Sequence, residues 1–177
     1  MKFLEQLVAV RGASSDEGLM KEFVLSYIEK NKSKWTVMPE VIEGAGFQDC
    51  IILTFGKPTT AIYAHMDSIG FSVGYGNELI KIGGPRLLDG INLVGSDSQG
   101  EIEAQLMVID DENDNQSAQY IFEREIDRGT ILTFKPNFRI TDKFVQSPYM
   151  DNRLGVWNAL KVAETLEDGA IVFSTYE

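Results

Sequence analysis

The sequence holds one cysteine, one histidine and five prolines in 177 residues. Each scarcity excludes something. With Cys50 alone there is no internal disulfide, no zinc ribbon and no CxxC redox site, and a reducing, cytoplasmic setting is expected. With His65 alone, any Ser-His-Asp triad and any imidazole-bearing metal site must use that residue. Positive charge is also short: 16 Lys and Arg face 27 Asp and Glu, a net charge of −11. Binding a phosphate backbone needs a basic face, and docking on an anionic membrane needs basic clusters. Neither nucleic acid nor a membrane surface is therefore expected as a partner. No apolar run reaches the ~20 residues of a membrane span, and Met1-Lys2-Phe3-Leu4-Glu5 opens no secretory signal.

What is present has the balance of a globular protein, 44% hydrophobic and 24% charged. The length fits one domain, or one core with a smaller insertion. Phe3, Leu4, Leu7 and Val8 predict a helix over 3–10, broken by Gly12 and Ser14-Ser15-Asp16. Ser15 or Asp16 is expected to cap a second helix over 17–30, where Met20, Phe23, Val24, Tyr27 and Ile28 form one apolar stripe. Strands are predicted over 36–42, 50–55 and 60–64, the last two apolar and buried within an α/β sheet.

From Ser72 to Ser147 the pattern changes to short, glycine-punctuated strand candidates: 79–82, 91–94, 102–109, 120–122, 130–134 and 144–145. The acidic stretch 110–115 reads as a solvated loop. Such spacing predicts a small β-barrel or sandwich. Helical spacing returns over 152–166, and 170–175 is another buried-type strand. The expected fold is an α/β core in three layers from 1–71 and 148–177, interrupted by a β-rich insert at 72–147.

Two segments and one terminal residue can carry chemistry. In His65-Met66-Asp67, residues i and i+2 point to one side of an extended chain, just past a strand end, where open α/β sheets place their sites. A neutral imidazole is a zinc ligand, and a neighbouring carboxylate orients it through the other ring nitrogen. The plain alternative is a polar strand end with a solvated histidine. In Ser147-Pro148-Tyr149-Met150-Asp151-Asn152-Arg153-Leu154-Gly155, Asp151 stands where a helix begins. It is either an ordinary N-cap or a carboxylate able to bridge two metals. Arg153 is expected to be a structural ion-pair partner. Glu177 follows the last strand, as a solvated end or as a third member of the group.

Together these stretches resemble the glutamyl (tetrahedral) aminopeptidases, a family of cytoplasmic dinuclear-metal enzymes. Ala64-His65-Met66-Asp67-Ser68-Ile69-Gly70-Phe71 is similar to the family's H-x-D-E-I-G-F stretch, with Ser68 in place of Glu. Met150-Asp151-Asn152-Arg153-Leu154-Gly155 is similar to its D-[DN]-R-x-G stretch, and Ser174-Thr175-Tyr176-Glu177 to the strand that ends in a Glu-Glu pair. The opening, Leu4–Leu7 followed by Gly12-Ala13-Ser14-Ser15 and a helix, is similar to the family's entry segment.

The resemblance implies a zinc-peptidase-like α/β/α core with an inserted β domain, and two divalent metals, zinc first and cobalt or manganese as alternatives. It implies that His65 ligates one metal, Asp67 orients His65, Asp151 bridges both metals, and Glu177 is the general base that takes a proton from the metal-activated water. It further implies peptide substrates with a free N-terminus and a homo-oligomeric assembly. The family's second Glu, a further Asp and a C-terminal His fall beyond Glu177. The chain is therefore expected to be the N-terminal portion of such an enzyme, inactive by itself. A non-enzymatic interaction module of the same fold, or a related co-catalytic zinc dipeptidase or deacylase, remains open at this point.

Overall fold

Two apolar periods, 3.6 and 2, organise the chain into distinct parts. The computed structural model describes every residue except Asp111, Asp114, Tyr176 and Glu177, together with the side chain of Ala45. In chain order, α1 (Lys2–Ala9), α2 (Gly18–Asn31), β1 (Glu40–Ile42), β2 (Ile51–Phe55) and β3 (Ala61–His65) come first. Then follow β4 (Gly70–Val73), β5 (Leu79–Ile82), β6 (Asn92–Asp97), β7 (Gly100–Asp110) and β8 (Gln116–Ile121). The chain continues with β9 (Ile131–Phe134), β10 (Arg139–Ile140), β11 (Val145–Gln146), α3 (Met150–Ala163) and β12 (Gly169–Ser174). Two compact units result, Met1–Ser68 with Tyr149–Glu177, and Ile69–Pro148.

The first unit is a mixed sheet, β1-β2-β12-β3, covered by helices. β12 runs antiparallel to β2 and parallel to β3. Alternation sets the faces: Ile51, Leu53, Phe55, Ile171 and Phe173 are fully buried and pack with Met20, Val24 and Ile28 of α2 and Val156 and Leu160 of α3. Phe23 and Tyr27 flank the α2 stripe, and Phe3 stacks on Tyr27 with ring centroids 4.0 Å apart. Neither Ser15 nor Asp16 caps α2. Ser15 turns into the left-handed region at φ 76, and Glu17 takes the N-cap position, where its Oε1 accepts the Ser15 amide at 2.8 Å.

Two strand expectations need correction. The strand expected over 36–42 is confined to Glu40–Ile42, because Pro39 has no amide hydrogen to give a ladder and Met38 is exposed. β3 is not a buried central strand. Among the described residues it lies at the sheet edge, and Tyr63 is 70% exposed.

The second unit is an antiparallel sheet in the order β5-β4-β9-β6-β7-β8. A bridge from Glu78 to Gln119 and a hydrogen bond from the Tyr120 amide to the Asn77 carbonyl (2.9 Å) bring its two ends together, so the sheet nearly closes into a barrel. Phe71, Leu93, Leu106, Tyr120 and Leu132 fill the interior. Gly95 is required by close packing: a Cβ there would lie 2.5 Å from Leu132 Cδ2 and 2.6 Å from the Ile131 carbonyl. No helix occurs among the described residues of this unit. β4 already spans Ser72, where the sequence pattern places the change of character. Arg139–Ile140 pairs with Val145–Gln146 as a small separate ribbon. The fold is thus mixed α/β with a barrel-like sheet.

Candidate functional site

The site of interest starts at the end of β3. Parallel pairing with β12 places His65 opposite Ser174, and the Met66 amide donates to the Ser174 carbonyl at 2.6 Å. Beyond His65 the chain turns inward, so that Met66, Asp67 and Ser68 are all buried. His65 Nδ1 then lies 3.2 Å from the Asp67 carbonyl oxygen and 3.4 Å from Asp67 Oδ1. On the other side of the ring, Nε2 lies 3.1 Å from Asp151 Oδ1.

This arrangement fixes the tautomer. A carbonyl oxygen only accepts, so Nδ1 carries the hydrogen and donates. The Nε2 lone pair is then left facing a carboxylate oxygen, acceptor to acceptor. Such a contact calls for a cation between the two atoms, either a proton or a metal ion.

The loop that holds His65 is pinned from several directions. Ser14 Oγ donates to Asp67 Oδ2 at 2.8 Å. Ser68 Oγ donates to the Gly12 carbonyl at 2.9 Å, and the Ser14 amide donates to the Ser68 carbonyl at 3.0 Å. Ser14 and Ser68 were not assigned roles from the sequence; the hydroxyl at 68 is a structural tie to the 12–14 segment. Asp67 Oδ1 is buried and has no hydrogen bond among the described residues.

Arg153 completes the support, and differently from expectation. It is 1% exposed, and its guanidinium donates to the Met66 and Val10 carbonyls, with no ion pair among the described residues. Burial lowers its pKa to about 10, against the opposing pull of Tyr149 and Asp67. It stays charged at neutral pH.

Asp151 is not the helix cap. Regular helical dihedrals begin only after Asn152, and Asn152 Oδ1 accepts the Gly155 amide at 3.0 Å, the bond an N-cap side chain makes. A Cβ on Gly155 would sit 1.9 Å from that oxygen. Asn152 and Gly155 thus account for the capping, which leaves the Asp151 carboxylate to reach His65 while 85% exposed. Glu177, the expected general base, lies outside the described residues.

A metal fits this pair in kind. Imidazole nitrogen and carboxylate oxygen are zinc donors, and two donors on one tetrahedral zinc stand about 3.3 Å apart, close to the observed 3.1 Å. Asp67, beside Nδ1, is placed as the outer carboxylate that orients a ligating histidine. Among the described residues no group of three or more such side chains is gathered. Next to Asp67 lies a cleft of about 420 Å³ that also exposes Glu17, Asp49, Ser15 and Gln48.

Comparison with known proteins gives a family match over part of the chain and a fold over nearly all of it. The model of the M42 glutamyl aminopeptidase family matches residues 92–177, a span that includes Asp151 and not His65. No curated protein sequence matches the chain significantly. Among solved structures, PhTET1-12s, described as a dodecamer, superposes with TM-score 0.73 at 20% identity, covering 97% of this chain and 58% of that one. The Pyrococcus horikoshii TET1 peptidase, described as assembling into a tetrahedron or a large octahedral shell, gives 0.76 at 18% identity, covering 97% and 59%. A TET aminopeptidase from the marine sediment archaeon Thaumarchaeota archaeon SCGC AB-539-E09 gives 0.75 at 15% identity, covering 97% and 56%. At these identities the likeness is one of fold, and the chain spans somewhat more than half the length of each structure. The resemblance to the M42 glutamyl aminopeptidases is thereby borne out by sequence over residues 92–177, and the TET structures show the same fold over nearly the whole chain.

Proposed function

We propose that this chain is the N-terminal part of a metal-dependent aminopeptidase that releases N-terminal amino acids from peptides. On this reading residues 1–71 and 148–177 belong to the catalytic domain, and 72–147 form its inserted β-rich domain. The observation that carries the reading is the convergence of the His65 imidazole and the Asp151 carboxylate, with Nε2 3.1 Å from Oδ1. His65 and Asp151 would hold the metal: zinc first, cobalt or manganese as alternatives, two ions in the whole enzyme. A divalent ion there would supply Lewis acidity toward a peptide carbonyl and a nucleophilic water near neutral pH.

The chain's own residues serve that chemistry in distinct ways. Asp67 and its carbonyl hold Nδ1 protonated, so Nε2 presents its lone pair. Arg153 fixes the Met66 carbonyl and with it the turn after His65. Asn152 takes over capping and leaves Asp151 free to bridge. Glu177 is assigned as the base that accepts a proton from the attacking water. Since the TET neighbours are described as dodecameric or shell-forming, a homo-oligomer is proposed as well.

The test compares a peptide with a free amine against its N-acetylated form, with zinc, cobalt or manganese added. It is run on the 177-residue chain and on the protein extended to the length of the TET structures. Turnover of the free-amine peptide by the extended protein alone, abolished by Asp151→Asn, is the expected result. Preference for the blocked substrate would assign a deacylase. Absence of turnover in both forms would assign an interaction module.

A further inference from the structure

We propose that the β-rich unit carries a binding site for a small organic anion, a carboxylate or phosphate attached to an apolar body. A cavity of about 820 Å³ opens within this unit, inside the size range of small-molecule sites. Its wall contradicts the charge of the chain. The protein carries a net −11, yet the cavity is lined by Arg86, Lys135 and Arg139 and, among the described residues, by no carboxylate.

These three cations are not equivalent. Lys135 is matched by Glu103, with Nζ 2.5 Å from Oε1, and the same oxygen accepts the Asn92 side-chain amide at 3.2 Å. Among the described residues, Arg86 and Arg139 have neither an ion pair nor a side-chain hydrogen bond. Both arginines are exposed and line the same cavity, and a guanidinium presents a planar fork of donors suited to a carboxylate or phosphate.

A second observation points to the same place. Half-buried Ser147 lines the cavity, and its Oγ, shielded from solvent, lacks a hydrogen-bond partner among the described residues. A shielded hydroxyl without a partner is costly, and rotation about χ1 toward the cavity would let a ligand oxygen satisfy it. The rest of the wall includes Ile69, Ile91, Phe134 and the exposed Leu88. Apolar surface beside the cations favours an amphiphilic anion over a bare inorganic one.

The experiment is calorimetric titration of the 177-residue protein with phenyl phosphate, phenylacetate and the neutral phenylacetamide, at low and high salt. At least one anion is expected to bind with a Kd below about 1 mM, and the amide not to bind. The tighter of the two anions identifies the headgroup. Arg86→Gln and Arg139→Gln should each weaken binding about tenfold or more, and Asp151→Asn should leave it unchanged. Amide chemical-shift mapping on the unmodified protein should place the perturbations at Arg86, Leu88 and Ser147. Equal binding of phenylacetamide, unchanged affinity in the Arg86→Gln/Arg139→Gln double variant, perturbations confined elsewhere, or no binding by either anion would each overturn the proposal.

Discussion

Two buried carboxylates in this chain have opposite surroundings. Asp97, in the β-rich unit, has no exposed side-chain surface, and both its oxygens are matched. Oδ1 accepts from Arg124 Nη2 at 2.8 Å and from the Gln99 amide at 2.9 Å. Oδ2 accepts from Arg124 Nη1 at 2.6 Å and from the Asp127 amide at 3.3 Å. The Arg124 hydrogen bonds, joined by those two amides, hold the Asp97 carboxyl far below the ordinary carboxylate range. Asp67, in the helix-covered unit, is 6% exposed, but only Oδ2 has a donor, and Oδ1 faces the imidazole without a hydrogen bond. A buried carboxylate with every lone pair matched fixes a fold. One left incomplete beside a histidine is arranged for something that binds.

The comparison can be broken most severely at Asp151. In the extended, metal-loaded protein, Asp151→Asn should lower kcat/KM by about 10³-fold, the scale of losing a metal's charge stabilisation. The melting temperature of the metal-free protein should hold, because the side chain is 85% exposed. A collapse of stability instead would make Asp151 structural. Asp67→Asn comes next. A partner that orients a ligating histidine typically changes metal affinity by about 10–100-fold when replaced. That loss should appear in metal titrations and be smaller than the loss at Asp151.

The structural carboxylate should respond in stability instead. Arg124→Met should lower the melting temperature of the β-rich unit and leave metal binding at His65 unaltered. Its pH dependence has a definite sign. The folded pKa of Asp97 lies below its unfolded value, so its contribution is complete above about pH 4 and is lost as the carboxyl protonates below that. Acid unfolding monitored by circular dichroism should steepen there, and Arg124→Met should flatten it. The smallest effect is expected at Asn152→Ala, which removes the α3 cap and should cost about 1 kcal/mol in denaturant unfolding.

The sequence shows some of this and hides the rest, for physical reasons. The α2 stripe of Met20, Val24 and Ile28 is legible because helical period alone buries it. His65 and Asp67 meet because i and i+2 share a side. Long-range facts are hidden. The edge position of β3 depends on how β12 inserts beside it, and an apolar run looks the same at an edge or a centre. Asp151 reads as a cap because caps occur at helix starts, and only the Asn152–Gly155 bond transfers that role one residue along. Arg153 reads as an ion-pair partner because buried charge normally finds its opposite, whereas here backbone carbonyls receive it. The roles of Ser14 and Ser68 have no local sequence signal.

Because the chain has a single histidine, one measurement reads the central claim without ambiguity. Long-range ¹H–¹⁵N correlation spectra of the imidazole, recorded during a zinc titration, follow both ring nitrogens of His65. The account predicts that Nδ1 stays protonated while Nε2 shifts saturably as zinc binds, and that Asp151→Asn weakens this binding. An unchanged Nε2 signal, zinc on Nδ1, or a titration indifferent to Asp151→Asn would contradict it.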